Sequence, residues 1–245
     1  MTGYFYDLHI HSCLSPCADD DMTPANIAGM AALQGLNLVA LTDHNSCKNC
    51  PAFFAHAKRY GIVPVAGMEL TTAEDIHVIC LFSDLESAMR FDSVVSGRLI
   101  KVKNKADIFG NQFIMDENDE KIGEEDSLLI NATTMDLEEA FNTVRSLGGV
   151  CYPAHIDRES GGLIAVLGDF PEEPVYTAFE LNMKDSLEEH RSRYPVIGGK
   201  KFVVSSDAHN LWSISEAENS IELDDEPYSS AKVRLELIKY LRGDK

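Results

Sequence analysis

The feature that most constrains this chain is a set of histidines that follow or adjoin predicted strands. Six of the eight histidines lie in this setting, together with acidic residues. They are His9, His11, His44, His77, His155 and His209. Unrelated core histidines would not collect repeatedly at strand ends, whereas imidazole and carboxylate groups from successive strands can hold divalent metal ions. The pattern therefore predicts one polynuclear metal site and favours a metal-dependent hydrolase.

Apolar segments alternate with helical patterns along most of the chain, which is typical of βα units. Thr23 and Pro24 open the first helix as its N-cap and its first residue. The predicted helices cover residues 24–35, 51–60, 135–147 and 228–242, and the predicted strands cover residues 4–9, 36–42, 62–68, 76–82, 150–154, 177–181 and 201–205. Most of the candidate ligands lie at the carboxyl ends of strands, where barrel and open α/β enzymes place their active sites.

Residues 84–131 interrupt this alternation. We predict an insertion that contains a helical portion and a hairpin, with strands at residues 112–115 and 128–130. The acidic segment 116–126 lies between them, and we interpret it as a solvated surface loop, with a substrate-selecting lid as the alternative.

Charge and composition narrow the expected partners and compartment. The chain has 40 acidic and 21 basic residues, a net charge of -19, which disfavours long-range attraction of duplex nucleic acid or an anionic membrane. Bound divalent cations would reverse the charge locally, so we expect a small phosphorylated substrate, no membrane partner and no duplex nucleic acid. The sequence contains no export signal and no apolar run of about 20 residues, so we predict a cytoplasmic protein with reduced cysteines.

The candidate ligands suit a cluster of two or three ions. His9 and His11 are two residues apart, so an extended backbone directs both side chains to one face. Imidazole and carboxylate donors suit zinc, manganese or iron. Glu69 follows a predicted strand, and its carboxylate can bridge two ions. The two ions would lower the pKa of a bound water molecule and bind the oxygens of an ester.

Five short motifs occur in an order that resembles the polymerase and histidinol phosphatase (PHP) superfamily of metal-dependent phosphoesterases. They are Asp7-Leu-His-Ile-His-Ser12, Thr42-Asp-His44, Gly67-Met-Glu69, Ala154-His155 and Ser206-Asp-Ala-His209. The resemblance implies an α/β fold, namely a distorted (β/α)7 barrel with a trinuclear metal site. Residues 1–245 would then form a single PHP-like domain with the inserted hairpin and loop region at about 84–131.

The resemblance also implies a ligand set. One ion would be bound by His9, His11, Glu69 and Asp207, and a second by Glu69, His77 and His155. A third would be bound by His44, His209 and an acidic residue after the first motif. Asp19 lies five positions before Pro24, as in relatives, and is our choice for that ligand, with Asp20 and Asp21 left open.

Other residues carry more than one interpretation. Arg158 could bind a substrate phosphate or be an ordinary surface arginine. Glu180 could orient a ligand or cap a local backbone group, and Asp43 is expected to support the neighbouring His44 rather than bind metal. A larger group, Cys13, Cys17, Cys47 and Cys50, could hold a structural zinc, form a redox pair, or simply be reduced thiols in tight loops.

The leading hypothesis is a metal-dependent phosphoesterase that hydrolyses a small phosphomonoester or a nucleotide-like phosphodiester with metal-activated water. Glu69, Asp207 and Arg158 are the predicted catalytic residues. The alternative is a non-catalytic metal-binding or polymerase-accessory PHP module. Hydrolysis of a carbon–nitrogen bond on a related barrel is a third reading that the motifs favour less.

Overall fold

The computed structural model describes residues 1–244, which form ten β-strands and eight α-helices. The main sheet contains β1 (Thr2–Asp7), β2 (Leu38–Leu41), β3 (Val63–Thr71), β4 (His77–Phe82), β7 (Val150–Pro153) and β10 (Ser220–Leu223). Its strand order is β10-β1-β2-β3-β4-β7. Two further strands, β8 (Ala178–Leu181) and β9 (Lys201–Val204), form a separate parallel pair. A parallel bridge between Ile10 and Ala208 joins the segments that follow β1 and β9.

The main sheet curls into a half-barrel, which confirms the predicted α/β fold class. All seven predicted strands are present within three residues of their predicted bounds. β10 is the strand of this sheet that the sequence analysis missed. It has only four residues, with Ile221 and Leu223 buried and the other two exposed, and it pairs antiparallel with β1. A segment this short and half polar carries little periodic signal.

Helices cover both faces of the main sheet. The helices are α1 (Pro24–Leu33), α2 (Cys50–Arg59), α3 (Leu85–Ser96), α4 (Ala106–Phe109), α5 (Leu137–Ser146), α6 (Leu163–Leu167), α7 (Leu187–Arg193) and α8 (Ser230–Arg242). The four apolar side chains Val233, Leu237, Ile238 and Leu241 of α8 pack against one face, and α1, α2, α3 and α5 pack against the other. Thr23 caps α1 as predicted, because its hydroxyl accepts a hydrogen bond from the Asn26 amide at 3.3 Å.

Strand direction explains why the candidate ligands meet at one edge of the sheet. β1, β2 and β3 are parallel, whereas β4 runs antiparallel to β3 with Thr71 opposite His77. Only residues 72–76 connect these two strands, too few for the crossover that a parallel pair requires. The start of β4 therefore lies beside the end of β3. β7 is antiparallel to β4, so its end, which precedes His155, reaches the same edge.

The insertion between β4 and α5 contains the predicted hairpin with a different second strand. β5 (Phe113–Met115) pairs with β6 (Lys121–Glu124), so the prediction of a strand at residues 128–130 is wrong. The reason is packing: Leu129 is buried against Leu14 and Leu99, and its amide bonds to the Gln112 side chain at 2.8 Å. The segment thus anchors the insertion to the loop after β1 instead of extending the hairpin.

Within residues 1–244, no helix has both the length and the apolar composition needed to cross a bilayer.

Gly110 tests the contact between the insertion and the loop after β1. Its φ of 100° and ψ of 174° lie in a region that is essentially restricted to glycine, and a Cβ there would overlap the carbonyl oxygen of Pro16. We expect Gly110→Ala to lower the free energy of unfolding by about 3 kcal/mol or more, measured by urea denaturation. Gly168→Ala is the matched control. Gly168 also has a positive φ of 80°, but a Cβ would meet no atom within 4 Å, so its cost should be about 1 kcal/mol. Equal losses in the two variants would contradict the predicted clash.

Candidate metal centre

The centre of the candidate site is the carboxylate of Glu69, at the end of β3. It is 1% exposed, and five histidine ring nitrogens surround it. These are His77 Nδ1 at 2.9 Å, His155 Nε2 at 3.0 Å, His44 Nδ1 at 3.1 Å, His11 Nε2 at 3.2 Å and His9 Nε2 at 3.4 Å. A buried carboxylate is unfavourable unless it is paired, so this arrangement makes Glu69 the charge around which the imidazoles gather.

Asp207 supplies the second buried carboxylate of the cluster. Its Oδ1 lies 3.1 Å from His11 Nε2 and 3.2 Å from His9 Nε2. The ring of His209 stacks on that of His11, with the ring centroids 4.2 Å apart. The structure therefore brings every predicted histidine ligand together with Glu69 and Asp207, although they come from positions 9 to 209 of the chain.

Two of these residues have unusual backbone conformations. His155 has a φ of 25° and Asp207 a φ of 51°, in the left-handed region that side chains other than glycine rarely adopt. His155 lies two residues after the end of β7, and Asp207 lies three residues after the end of β9. Such strain persists only where the surroundings enforce it, and it is concentrated at functional sites.

Hydrogen bonds on the far side of the rings fix their orientation. Glu180, on β8, accepts from His9 Nδ1 at 2.8 Å and from the His155 amide at 3.2 Å. Ser15 donates to Asp43 at 2.7 Å, so His11 Nδ1, 3.0 Å away, must donate to the Ser15 hydroxyl. In both rings the bond at Nδ1 leaves Nε2 available for a metal. Glu180 and Asp43 thus position ligands without joining the cluster.

Ser15 is a positioning residue that the sequence analysis missed. Its hydroxyl also accepts from the His44 amide at 3.1 Å, so a single side chain fixes parts of two candidate ligands. A serine four residues after His11 in a loop has no distinctive signal, because serine is common in turns.

The donor geometry fits divalent metal ions. Three groups have ligand atoms that all lie within 4.8 Å of one another: His9, His11, Glu69 and Asp207; His44, Glu69 and His77; and His11, His44 and His209. Two atoms in these groups, His44 Nδ1 and Asp207 Oδ1, are buried with no hydrogen-bond partner among the described residues. Buried polar atoms without a hydrogen-bond partner call for a ligand, and a set of imidazoles and carboxylates suits zinc, manganese or iron.

Four histidines of the cluster differ in the direction in which their surroundings shift the pKa. Burial lowers the pKa of His44 well below its usual range and that of His209 to about 4, so both rings are neutral and ready to bind metal. Burial also acts on His9 and His11, but the nearby carboxylates outweigh it and raise the pKa of His11 to about 9 and that of His9 well above its usual value. Burial likewise opposes ionisation of Glu69, yet the surrounding imidazoles hold its pKa well below the usual range.

The acidic residues predicted for the third ion lie outside the three ligand groups. The Asp19 amide donates to the His209 carbonyl at 2.9 Å, which brings this loop beside the cluster, but the Asp19 carboxylate belongs to none of the three ligand groups. Asp20 instead accepts from the Asn111 side chain at 2.9 Å, and Asp21 is exposed. Asp19 as the remaining ligand stays a prediction.

A cavity of about 290 Å³ opens onto the cluster, lined by His44, Glu69, His77, His155, Arg158, Glu159, Ser160, Asp207 and His209. Arg158 stands at its mouth, with its side chain 42% exposed and its guanidinium paired with the Asp207 carboxylate. Arg158 therefore links a candidate metal ligand to the solvent side of the cavity.

The loop cysteines do not form a thiolate site within the described residues. The thiols of Cys47 and Cys50 face the Gly67 carbonyl at 3.2 and 3.6 Å, and Cys13 faces that of Phe113 at 4.0 Å. Burial raises the pKa of Cys47 well above its usual value, so it is a protonated thiol. All are free cysteines, which favours the reading as reduced thiols in tight loops.

Metal content tests the polynuclear site. We expect at least two divalent ions per chain in protein purified without chelator, measured by elemental analysis, because the ligand groups share donors and exceed what one ion needs. Glu69→Gln should lose at least one ion, since it removes a charge shared by two groups while nearly preserving volume. Ser206→Ala, outside the ligand groups, is the control. One ion or none in the wild-type protein after metal addition would refute a polynuclear centre.

Metal binding should release protons. At pH 7 the raised pKa values of His9 and His11 mean that these rings carry protons in the metal-free protein, and a cation must displace them. Apparent metal affinity should therefore fall as pH falls. Titration of metal-free protein with Zn²⁺ in weak buffer at pH 7.5, followed with a pH indicator, should show release of about one proton or more per chain. Uptake of Zn²⁺ with no proton released, and with affinity independent of pH between 6 and 8, would contradict this assignment.

Several known proteins resemble this chain in part of its sequence or in its fold. The chain is 34% identical over 82 residues to the 5'-3' exoribonuclease of Haemophilus influenzae, a match that covers 32% of this chain and 29% of that protein. This chain therefore spans less than a third of the length of that exoribonuclease. Endonuclease Q of Pyrococcus furiosus has a similar fold, with a TM-score of 0.60 and 19% identity over 99% of this chain and 56% of the other. An amidohydrolase of Chromobacterium violaceum also has a similar fold, with a TM-score of 0.56 and 19% identity over 90% of this chain and 92% of the other.

The prediction of a small phosphorylated substrate, with duplex nucleic acid excluded as a partner, is wrong. Endonuclease Q in complex with a 27-mer duplex that carries an abasic lesion at the active site shares this fold, with a TM-score of 0.59 and 19% identity over 99% of this chain and 57% of the other. The fold is thus compatible with a bound duplex. Net charge sets the far field, whereas binding depends on charges close to the contact, where metal ions and a few arginines can dominate.

The sequence match to a protein family covers more of the chain than the sequence match to the exoribonuclease. The sequence profile of the PHP domain matches residues 7–147, more than half of the chain, from the first histidine motif through α5. That segment contains His9, His11, His44, Glu69 and His77, which are five of the eight residues that the fold gathers into the cluster. The chain belongs to the PHP domain family, whose members are metal-dependent hydrolases.

Proposed function

We propose that this protein is a metal-dependent phosphoesterase that hydrolyses phosphodiester bonds in nucleic acid. The observation that carries this proposal is a pair of adjoining cavities that share Arg158 and Glu159. One contains the metal centre, and the other, of about 300 Å³, is lined by Ile156, Asp157, Arg158, Glu159, Ile164, Ala165, Gly168, His190, Arg193 and Tyr194. A phosphomonoester needs one such cavity, whereas a polynucleotide carries a further phosphate beside the bond that is cleaved.

The second cavity contains the arginine that would contact a flanking phosphate. Arg193 lies on its wall, with its guanidinium 5.4 Å from the centre of the Tyr194 ring. The carboxylate of Asp157 is engaged elsewhere, because it accepts from the Asn182 amide at 2.8 Å and the Met183 amide at 3.0 Å. Because Arg158 is paired with Asp207, Arg193 is the arginine of this lining that is left for a phosphate, with Glu159 as the carboxylate not held by these amides.

His190 contributes to the same wall. The side chain is half-buried, and its Nδ1 bonds to the Ser186 carbonyl at 2.8 Å. That bond requires a proton on Nδ1, so Nε2 is the nitrogen available to a ligand or to solvent.

In the first cavity the residues bind and orient the scissile phosphate. When bound, the metal ions would lower the pKa of a water molecule and neutralise charge on the phosphate oxygens. Arg158 is placed to move its fork of N–H donors from Asp207 to a phosphate, since its own side chain is 42% exposed at the cavity mouth whereas that of Asp207 is buried. Glu180 and Ser15 hold His9 and His11 in fixed orientations, so that the ligand set is formed before substrate arrives.

The comparisons support nucleic acid as the substrate class. The proteins that this chain resembles include a 5'-3' exoribonuclease and an endonuclease seen on a DNA duplex, and the error-prone DNA polymerase of Symbiobacterium thermophilum is 36% identical over 77 residues, 31% of this chain and 7% of the other. The polymerase match keeps a non-catalytic accessory module as the competing function. Hydrolysis by the isolated chain distinguishes the two.

The test is a comparison of substrates with the metal-loaded protein. We expect faster cleavage of at least one of three oligonucleotides, namely single-stranded RNA, single-stranded DNA and a duplex with an abasic site, than of p-nitrophenyl phosphate at equal phosphate concentration. Faster hydrolysis of the monoester than of every oligonucleotide would refute the proposal. Full metal content without hydrolysis of any substrate would establish the accessory module instead.

Arg193 and Arg158 should separate the roles of the two cavities. Arg193→Ala should raise the KM for the oligonucleotide about tenfold, because a charge-assisted hydrogen bond contributes about 1.5 kcal/mol, and should leave hydrolysis of bis-p-nitrophenyl phosphate within about twofold. Arg158→Ala should slow both substrates. Arg90→Ala on α3, another exposed arginine, is the control for loss of one positive charge. Equal effects of Arg193→Ala on the two substrates would show that the second cavity does not bind substrate.

A further inference from the structure

Another cavity lies away from the metal centre. It has a volume of about 450 Å³ and opens between β9 and the β1–β10 pair, with Tyr6, Lys184, Arg191, Lys201, Phe202 and Tyr240 among its lining residues. Lys201 begins β9, and the candidate ligand Asp207 follows six residues later, beyond the opposite end of that strand. At about 3.3 Å per residue the two positions are separated by up to about 20 Å. This cleft, named here the basic cleft, is therefore a separate site.

Its charge is opposite to that of the chain. Four cationic side chains, those of Lys184, Arg191, Lys200 and Lys201, line the basic cleft against one carboxylate, that of Glu218. In a protein with 40 acidic and 21 basic residues, lysines without local acidic partners are the exception. Neither Lys184 nor Lys201 forms an ion pair with any residue in the described range 1–244. Unpaired cations around a concave surface concentrate positive potential there.

The contacts of the cations show which of them a ligand can use. Lys200 is engaged elsewhere, because its ammonium donates to the Tyr176 carbonyl at 2.5 Å. Lys201 Nζ lies 4.2 Å from the centre of the Tyr240 ring, and the Arg191 guanidinium lies 5.5 Å from that of Phe202. These cation–π contacts hold the two groups against the walls without satisfying their N–H donors.

Arg191 also has an unsatisfied donor. Its terminal nitrogen pairs with Glu188 at 3.1 Å, but the Glu188 side chain is 82% exposed and such a pair is weak. The Nε–H is shielded from solvent and has no acceptor in the described part of the chain. A guanidinium with a missing acceptor is destabilised until an anion supplies one.

We propose that the basic cleft binds the phosphate group of a small anionic ligand. Three cations within one cavity match a phosphate, and about 450 Å³ is within the range of small-molecule sites. A nucleoside mono- or diphosphate and the terminal phosphate of an oligonucleotide present the same chemistry. The site is independent of the proposed hydrolysis, because none of its residues contacts the metal cluster.

The experiment measures phosphate binding to the metal-loaded protein by calorimetry, with inorganic phosphate, ADP and a 5'-phosphorylated DNA oligonucleotide as separate probes. The wild-type protein should show two classes of site for at least one probe. The double variant Lys184→Ala/Lys201→Ala should weaken one class at least tenfold and leave the other intact. Arg158→Ala should do the reverse, and Lys105→Ala, which removes an exposed lysine of the insertion, should change neither.

The probes distinguish the source of the phosphate. An effect of the double variant on ADP or inorganic phosphate identifies a free ligand, and an effect on the oligonucleotide alone identifies a nucleic-acid end. A single class of site that Arg158→Ala abolishes, or binding constants that the double variant leaves unchanged, would overturn the proposal. If the double variant does not fold, the zinc-loaded wild-type protein remains informative: ADP at concentrations that saturate the metal centre should shift the NMR amide signals of Gly199 and Ser220, and unshifted signals would also overturn it.

Discussion

The burial of one negative charge organises this structure. Glu69 is inaccessible to solvent, and its desolvation would be prohibitive without the imidazoles that lie 2.9 to 3.4 Å away. Those rings come from the ends of several strands, so the edge of the sheet must bring those ends within a few ångströms of one another. The positive φ angles of His155 and Asp207 show that the backbone accepts local strain to complete the cluster.

The same constraint explains the departure from a regular βα order. A parallel β4 would carry His77 to the far edge of the sheet. The five-residue turn after β3 forces an antiparallel strand, which returns His77 to Glu69. The fold thus combines parallel strands that end at the site with one strand that begins there, and both kinds deliver ligands to the same edge.

Charge is distributed unevenly over the molecule, and this matters more for binding than its sum. The net charge of -19 coexists with Arg158 and Arg193 around the two cavities and with the basic cleft near the opposite end of β9. Salt screens the field of a surface charge over about 8 Å at physiological ionic strength. A ligand within a cavity therefore responds mainly to the charges that line the cavity. For this reason the net charge of the chain does not by itself exclude a nucleic-acid partner.

The sequence by itself determined the alternation of helices and strands, the seven main strands and the histidines and carboxylates of the cluster, because buried strands and helix caps leave local patterns. It did not reveal β10, whose four residues gain stability only by pairing with β1, nor the place of Leu128 and Leu129, which pack against distant parts of the chain. Ser15, the second cavity and the basic cleft were equally hidden. Each depends on residues far apart in sequence, such as Ser15 with Asp43 or Lys184 with Lys201 and Tyr240. Local preferences specify the elements, whereas contacts between elements decide which polar groups are left without partners and therefore available to a metal or a substrate.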